Sequence, residues 1–301
     1  SYASSIGLNV HISTQANVCN TEAVLHYAQY SDVIVLAREL TLPQIQKIVA
    51  AIEEENICGP SGEKVRIEIF VHGALCVGVS GKCYMSLAQY NYSANRGACL
   101  QACRRKYRVS EEETGQELVI DNEYIFSPKD LCTISFLDEI IAAGVSVLKI
   151  EGRGRSPYYV YTVTKTYKDA VASIEAKEYS PQKIEAWLEQ LKKVYNRGFW
   201  QGGYYLGKEL GEWCNSYGSQ ATKRKEYVGK VTNYFSKIGV AEFKIESGAL
   251  EEGDEMMIIG DTTGVVKAQA TEIKHHGKGV ITVRVAEKVR CRDAIYVVKE
   301  R

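Results

Sequence analysis

The sequence has no charge excess to read. Lys+Arg and Asp+Glu are both 37, so the overall single-sign field of a chain that coats nucleic acid by charge alone is missing. No apolar run reaches the ~18 residues needed to span a bilayer, and no membrane partner is expected. The first residues, Ser1 to Ser5, lack the basic start and apolar stretch of a secretory signal. There is no His-Glu-x-x-His and no Gly-x-Ser-x-Gly, which leaves a zinc peptidase or a serine elbow without its motif. No two cysteines have the two-residue spacing of zinc knuckles or thioredoxin-like centres. The cysteine count, nine in 301 residues, is odd and follows no small-domain pattern. That argues against a disulfide framework and for a reducing, cytoplasmic setting.

What is present is a concentration of sulfur. Cys76, Cys83, Cys99, Cys103 and Cys132 fall within 57 residues. Packing alone seldom calls for so many, whereas sulfurs that converge on a metal ion or an iron–sulfur cluster do. Gly73, Gly78, Gly81 and Gly97 allow the backbone to wrap closely there. The local charge is also uneven: residues 64–108 hold eight basic side chains and one acid, Glu68, a net +7. Such a stretch suits an anionic partner, or it is a solvated basic loop.

The periodicity divides the chain in three. Residues 1–180 alternate short apolar strands (8–12, 32–36, 65–71, 117–120, 145–150) with helical patterns (21–28, 42–55, 131–143, 158–175). Such alternation indicates a parallel sheet with helices outside. The cysteine-rich stretch, residues 76–108, is an insertion in it. Residues 181–222 read as a connector, a helix over 181–195 and then a Gly/aromatic loop. Residues 223–301 show short alternating strands separated by Gly/Asp turns, the pattern of a small antiparallel β-barrel.

Residues Glu68, Phe70, Gly73, Ala74, Leu75, Cys76, Gly81, Cys83, Met85 and Ser86 reproduce a long signature, and on it the chain resembles the collagenase-like peptidase family U-32. The match continues through Asn95–Arg104, Ser13–Asn17, Ala37–Glu39, Ser127–Cys132 and Lys149–Arg153, and so covers nearly the whole chain. The resemblance implies a (β/α)8-type, TIM-like barrel. Roughly three strand–helix units would precede His11 in it. The barrel is therefore expected to lack its first units, or to be completed by a missing N-terminal segment or a second chain. The C-terminal strands resemble the family's terminal barrel, itself similar to the second domain of translation elongation factors.

The resemblance also implies a four-iron, four-sulfur cluster held by four cysteines. Five candidates compete, and Cys76, Cys83, Cys99 and Cys132 are favoured because they lie in separate motifs, with Cys103 in reserve. Glu151 and Arg153 follow the strand 145–150, where active-site residues of α/β barrels sit. Arg153, with Arg155, would clamp a carboxylate or phosphate, or Glu151 and Arg153 form a structural pair. Arg38 and Glu39 end the strand 32–36 and admit the same two readings. Gln15 and Asn17 would bind a ligand or cap the next helix. His72 is a proton donor or an ordinary buried histidine.

Three functions follow. Family members with this C-terminal barrel hydroxylate uridine in transfer RNA, with prephenate as the implied co-substrate. That makes an iron–sulfur RNA hydroxylase the first expectation, with tRNA as partner. A collagenase-like protease is the second, although a nucleophile or metal-bound water is not evident. A non-catalytic RNA-binding or scaffold protein is the third.

Overall fold

The computed structural model describes residues 2–107, 112–114, 126–202, 205–207, 212–216 and 218–301. The expected strand at 117–120, Arg108 and part of the Gly/aromatic loop lie outside them. The chain separates into two compact units. One comprises residues 1–153, 166–188 and 196–220, and the other 154–165, 189–195 and 221–301.

The first unit is mixed α/β. After a short helix α1 (Tyr2–Ser5), β1 (His11–Ile12) leads to α2 (Thr21–Ala28), β2 (Val33–Val35), α3 (Leu42–Glu54) and β3 (Arg66–Gly73). The Asn20 side chain accepts from the Ala23 amide at 2.8 Å and starts α2. In α3 the side chain of Gln44 accepts from the Thr41 amide at 2.9 Å, half of a capping box. Leu42, Ile45, Ile48 and Ile52, spaced at helical period, are its buried stripe. All of β2 is buried, as expected for a parallel strand covered on both faces. Next come α4 (Met85–Tyr90), β4 (Asp130–Cys132), α5 (Leu137–Ala142), β5 (Val147–Ile150), α6 (Pro157–Glu175), α7 (Pro181–Lys192) and β6 (Phe199–Trp200); residues 157–165 of α6 and 189–192 of α7 belong to the second unit.

Strands β1, β2 and β3 pair in parallel, and β5 pairs in parallel with β3. The order β1-β2-β3-β4-β6 is an open path, so the expected barrel is not closed among the described residues. The helix expected over 131–143 is corrected. Its first residues are β4, all buried and paired antiparallel with the end of β3, His72 opposite Cys132; only Leu137–Ala142 is helical. The Gly/aromatic loop likewise contains β6, paired with β4.

The second unit carries seven antiparallel strands, β7 (Lys223–Phe235), β8 (Val240–Ile245), β9 (Glu255–Gly260), β10 (Gly264–Gln269), β11 (Lys274–His275), β12 (Val280–Arg284) and β13 (Ala294–Glu300). Their order is β10-β9-β13-β7-β8-β12-β11, wrapped on a core that includes Phe243, Met256, Ile258, Val283 and Ile295. No pairing between the outer strands β10 and β11 closes this sheet among the described residues. His275 of β11 pairs with Ile281 of β12. Among the described residues no helix is long and apolar enough to cross a membrane.

Candidate functional site

Strands β1, β2, β3 and β5 end on the same side, and the residues after them build one pocket. On the chain leaving β3, Ser80 is fully buried. The Ser80 amide donates to Oε1 of Glu39 at 2.8 Å, and its hydroxyl accepts from the Arg38 amide at 3.2 Å. Gly81 follows at φ +74°, and a Cβ there would collide with the carbonyl of Gln15. That position needs glycine for both conformation and space. Ser80 and Gly81 thus fasten the segment carrying Cys76 and Cys83 to the ends of β1 and β2.

Asn95 donates to the Gly81 carbonyl at 3.2 Å, and the Ser86 hydroxyl accepts from the Leu100 amide at 2.9 Å, 4.0 Å from the sulfur of Cys99. Arg104 secures the far side. Its guanidinium donates to Ser127 Oγ at 3.1 Å, to the Pro128 carbonyl at 3.0 Å, and to the carbonyl of Leu75, the residue before Cys76.

The result is a pocket of about 250 Å³ lined by Cys76, Cys83, Cys99 and Cys103 together with Arg38, Arg104 and Arg153. Burial pushes the Cys103 thiol up, and so do Cys76, Cys99 and Cys83, against the pull of Arg104. The four sulfurs therefore share one electrostatic neighbourhood. Burial lowers the Arg38 pKa, but Cys76, Glu39 and Tyr205 outweigh it and the net shift is upward. Burial, and then Arg197, hold Arg104 below its ordinary value, opposed by Cys103, Asp130 and Cys76. Among the described residues, two buried polar atoms at the site, Nε of Arg38 and Oε2 of Glu39, find no hydrogen-bond partner.

Gln15, Arg38, Glu151 and Arg153 line the pocket beside the sulfurs. Oε1 of Glu151 accepts from the Arg153 amide at 2.7 Å, and the Arg153 guanidinium donates to the Gly97 carbonyl. Glu39 holds Ser80 and does not line the pocket. Asn17, at φ 51°, closes the short turn at 14–16. Arg155 belongs to the second unit, where its guanidinium lies 3.7 Å from the centre of the Tyr195 ring and 5.8 Å from that of Tyr159.

Cys103, held in reserve from the spacing, stands with the other three thiols, and Cys132 does not line the pocket. The reason is the direction of β4. Its antiparallel pairing sets Cys132 against His72, beside Tyr167 of α6. Burial pushes the Cys132 thiol up to about 12. Burial likewise pulls His72 down to about 3. Its ring packs on Tyr167 and Phe199 at 5.5 and 5.6 Å, and it too is absent from the pocket lining.

Arg104 and Ser80 were not singled out from the sequence. Arg104 directly follows Cys103 within the quoted motif, a signal that was available; nothing marks Ser80 as buried. Phe70, a signature residue with no role assigned from the sequence, also lines the pocket, its ring 5.7 Å from the Arg38 guanidinium and 5.4 Å from the Lys149 ammonium.

Among the described residues no three His, Cys, Asp or Glu side chains are grouped to hold a single metal ion. One ion needs all its donors on one small polyhedron. A four-iron cluster takes one thiolate per iron. Four thiols around one pocket, with the half-buried Arg38 and Arg104 to offset their charge, fit that larger group in donor chemistry.

The model for peptidase family U32 matches residues 2–215. A collagenase of Porphyromonas gingivalis is 53% identical over 98% of this chain and 73% of its own length. The tRNA hydroxylation protein P1 of Bacillus subtilis is 29% identical over 84% of this chain and 58% of its own. The 23S rRNA 5-hydroxycytidine C2501 synthase of Escherichia coli is 37% identical over 68% of this chain and 30% of its own. By the family match and the extent of these likenesses, the chain belongs to peptidase family U32.

Proposed function

We propose that this chain is an iron–sulfur enzyme that hydroxylates a base of RNA, a uridine of tRNA in the first instance, with prephenate as co-substrate. The observation that carries the reading is the pocket in which four thiols and three guanidiniums meet. Cys76, Cys83, Cys99 and Cys103 would hold a four-iron, four-sulfur cluster. That group would supply one-electron chemistry. The open parallel sheet is read as part of a (β/α)8-type barrel, with the pocket at the carboxyl ends of its strands.

The chain's own residues bind and orient. Arg38 and Arg153 present guanidiniums that match carboxylates in bidentate fashion. Phe70, flanked by Arg38 and Lys149, offers a ring face on which a planar group can stack. Glu151 fixes the Arg153 backbone, so the clamp is held before ligand arrives, which lowers the ordering cost of binding. Ser80 and Gly81 keep the cysteine segment in place during turnover. The RNA substrate is supported by the relatives named for tRNA and rRNA hydroxylation.

The second reading is a peptidase, favoured by the 53% identity to a protein named collagenase. Its difficulty is chemical. Among the described residues no histidine lines the pocket, and His72 is buried with its pKa pulled down to about 3, so a Cys–His pair that would activate a cysteine nucleophile is not evident there. One experiment separates the two. Nucleosides of RNA are analysed from cells with and without the gene, and the repurified protein is assayed on denatured collagen. Loss of a hydroxylated nucleoside without peptide cleavage supports the hydroxylase; cleavage that co-purifies with the protein, with nucleosides unchanged, supports the peptidase.

A further inference from the structure

The basic stretch at residues 64–108 is divided by the fold. Lys64 pairs with Glu53. Arg66 opens β3, whereas the pocket is built by Ala74, Leu75 and Cys76 beyond that strand's other end. Arg104 is engaged by Ser127, Pro128 and Leu75. Arg105 is held on Tyr90, its guanidinium 5.0 Å from the ring centre. Lys82 and Arg96 differ from these: both are exposed, and among the described residues neither makes an ion pair or a side-chain hydrogen bond.

The pocket fixes where these two cations stand. Lys82 lies between Gly81 and Cys83, and Arg96 follows Asn95; Gly81, Cys83 and Asn95 all line the pocket. The Asn95 side chain donates to the Gly81 carbonyl at 3.2 Å, so the two turns that carry Lys82 and Arg96 are fastened together. Arg153 donates to the carbonyl of Gly97, the residue after Arg96. Residues 69–110 contain no acid. Among the described residues that line the pocket, Glu151 is the one carboxylate.

Apolar surface is exposed at the same rim. Tyr84, directly after Cys83, is 67% exposed, and Val79, itself in the lining, is 54% exposed. Apolar groups left in water beside unpaired cations mark a contact face. A pocket of about 250 Å³ is too small to admit a polymer, so a macromolecular substrate is held at the mouth and presents one unit to the interior. Cations beside an accessible ring match a chain that alternates phosphates with unstacked bases. A neutral extended peptide would leave both cations without partners.

We infer that Lys82, Arg96 and Tyr84 form the lip on which an RNA strand rests, the cations meeting phosphates and Tyr84 receiving an unpaired base. This rests on the RNA-modifying reading above and adds where on the chain the RNA is held. The cations set affinity and its salt dependence, and they carry no base specificity.

The test is binding of the full chain to labelled bulk tRNA over a series of salt concentrations. Wild type is expected to bind with a steep inverse salt dependence. The pair Lys82→Gln/Arg96→Gln is expected to flatten the log–log slope by roughly 1.5 and to weaken binding about tenfold at moderate salt. Lys82→Arg/Arg96→Lys keeps the charge and is expected to keep the slope. Tyr84→Ala is expected to weaken binding roughly fivefold or more, with the slope unchanged. Arg66→Gln removes a cation at the other end of β3 and is expected to leave binding as in wild type.

Wild-type binding with an unaltered slope in the glutamine pair overturns the lip and leaves the RNA reading standing. A slope flattened as much per charge by Arg66→Gln overturns it as well, since the contact is then not confined to the pocket mouth. Absence of tRNA binding by wild type overturns both. Denatured collagen or poly-glutamate bound as tightly as tRNA, with the same response to the glutamine pair, overturns the assignment to RNA. Thermal melts of all variants establish that each is folded.

Discussion

His72 and Cys132 face each other across the antiparallel end of β3 and β4, both sealed from solvent at 1% and 0% exposure. Two residues whose chemistry invites a catalytic role are thereby placed in the packing between sheet and helix α6. Tyr167 donates to the Val71 carbonyl at 2.9 Å and lies 3.4 Å from Nδ1 of His72.

A pH dependence follows from the buried histidine. His72 titrates near 3 in the folded chain and near 6.5 when unfolded, so the unfolded state binds the extra proton. Its contribution is fully present above about pH 6.5 and is lost as pH falls toward 3, at a slope of up to about 1.4 kcal/mol per pH unit. Denaturant melts between pH 7 and 4 are expected to show a shallower loss of stability for His72→Gln than for wild type. Identical slopes would contradict it.

Thiol reactivity distinguishes the cysteines directly. In metal-free native protein, alkylation mapped by mass spectrometry is expected to label Cys76, which is exposed, and to spare Cys132, which is buried with its thiol pKa raised to about 12. The thiolate is the reacting form, so both access and ionisation protect Cys132. Early labelling of Cys132 would show that β4 does not seal it.

Gly81→Ala tests how the cysteine segment is fastened. The φ of +74° and the collision with the Gln15 carbonyl predict a loss of at least about 2 kcal/mol in stability. Unchanged denaturant midpoints would mean that the loop is not held against β1.

Arg104 is expected to be a positioning residue. Arg104→Leu removes three donations, to Ser127, Pro128 and Leu75, and is expected to cost roughly 3 kcal/mol. Iron retained after anaerobic purification is expected to fall as well, since Leu75 precedes Cys76. Arg104→Lys, which keeps the charge without the fork, is expected to restore stability only in part. Full stability and full iron content in Arg104→Leu would remove it from the site.

Much of this was legible in the chain. The helical patterns over 21–28 and 42–55 became α2 and α3, because periodicity is a local signal. The signature from Glu68 to Ser86 marked the pocket for the same reason. What spacing did not convey was the direction of β4. A run of apolar residues at 131–143 has helical length, yet Asp130–Cys132 is a strand because both its faces are covered, by contacts distant in sequence. Whether Cys132 or Cys103 lines the pocket depends on that strand, and it is a long-range fact. Ser80 was missed similarly: a serine in a glycine-rich loop carries no mark of complete burial.

The most direct test of the cluster reading compares Cys103→Ser with Cys132→Ala by iron and acid-labile sulfide analysis after anaerobic purification. Wild type is expected to carry about four irons per chain. Cys103→Ser is expected to lose most of them and Cys132→Ala to retain them. Iron retained in Cys103→Ser and lost in Cys132→Ala, or a colourless iron-free wild type holding zinc, would contradict the account.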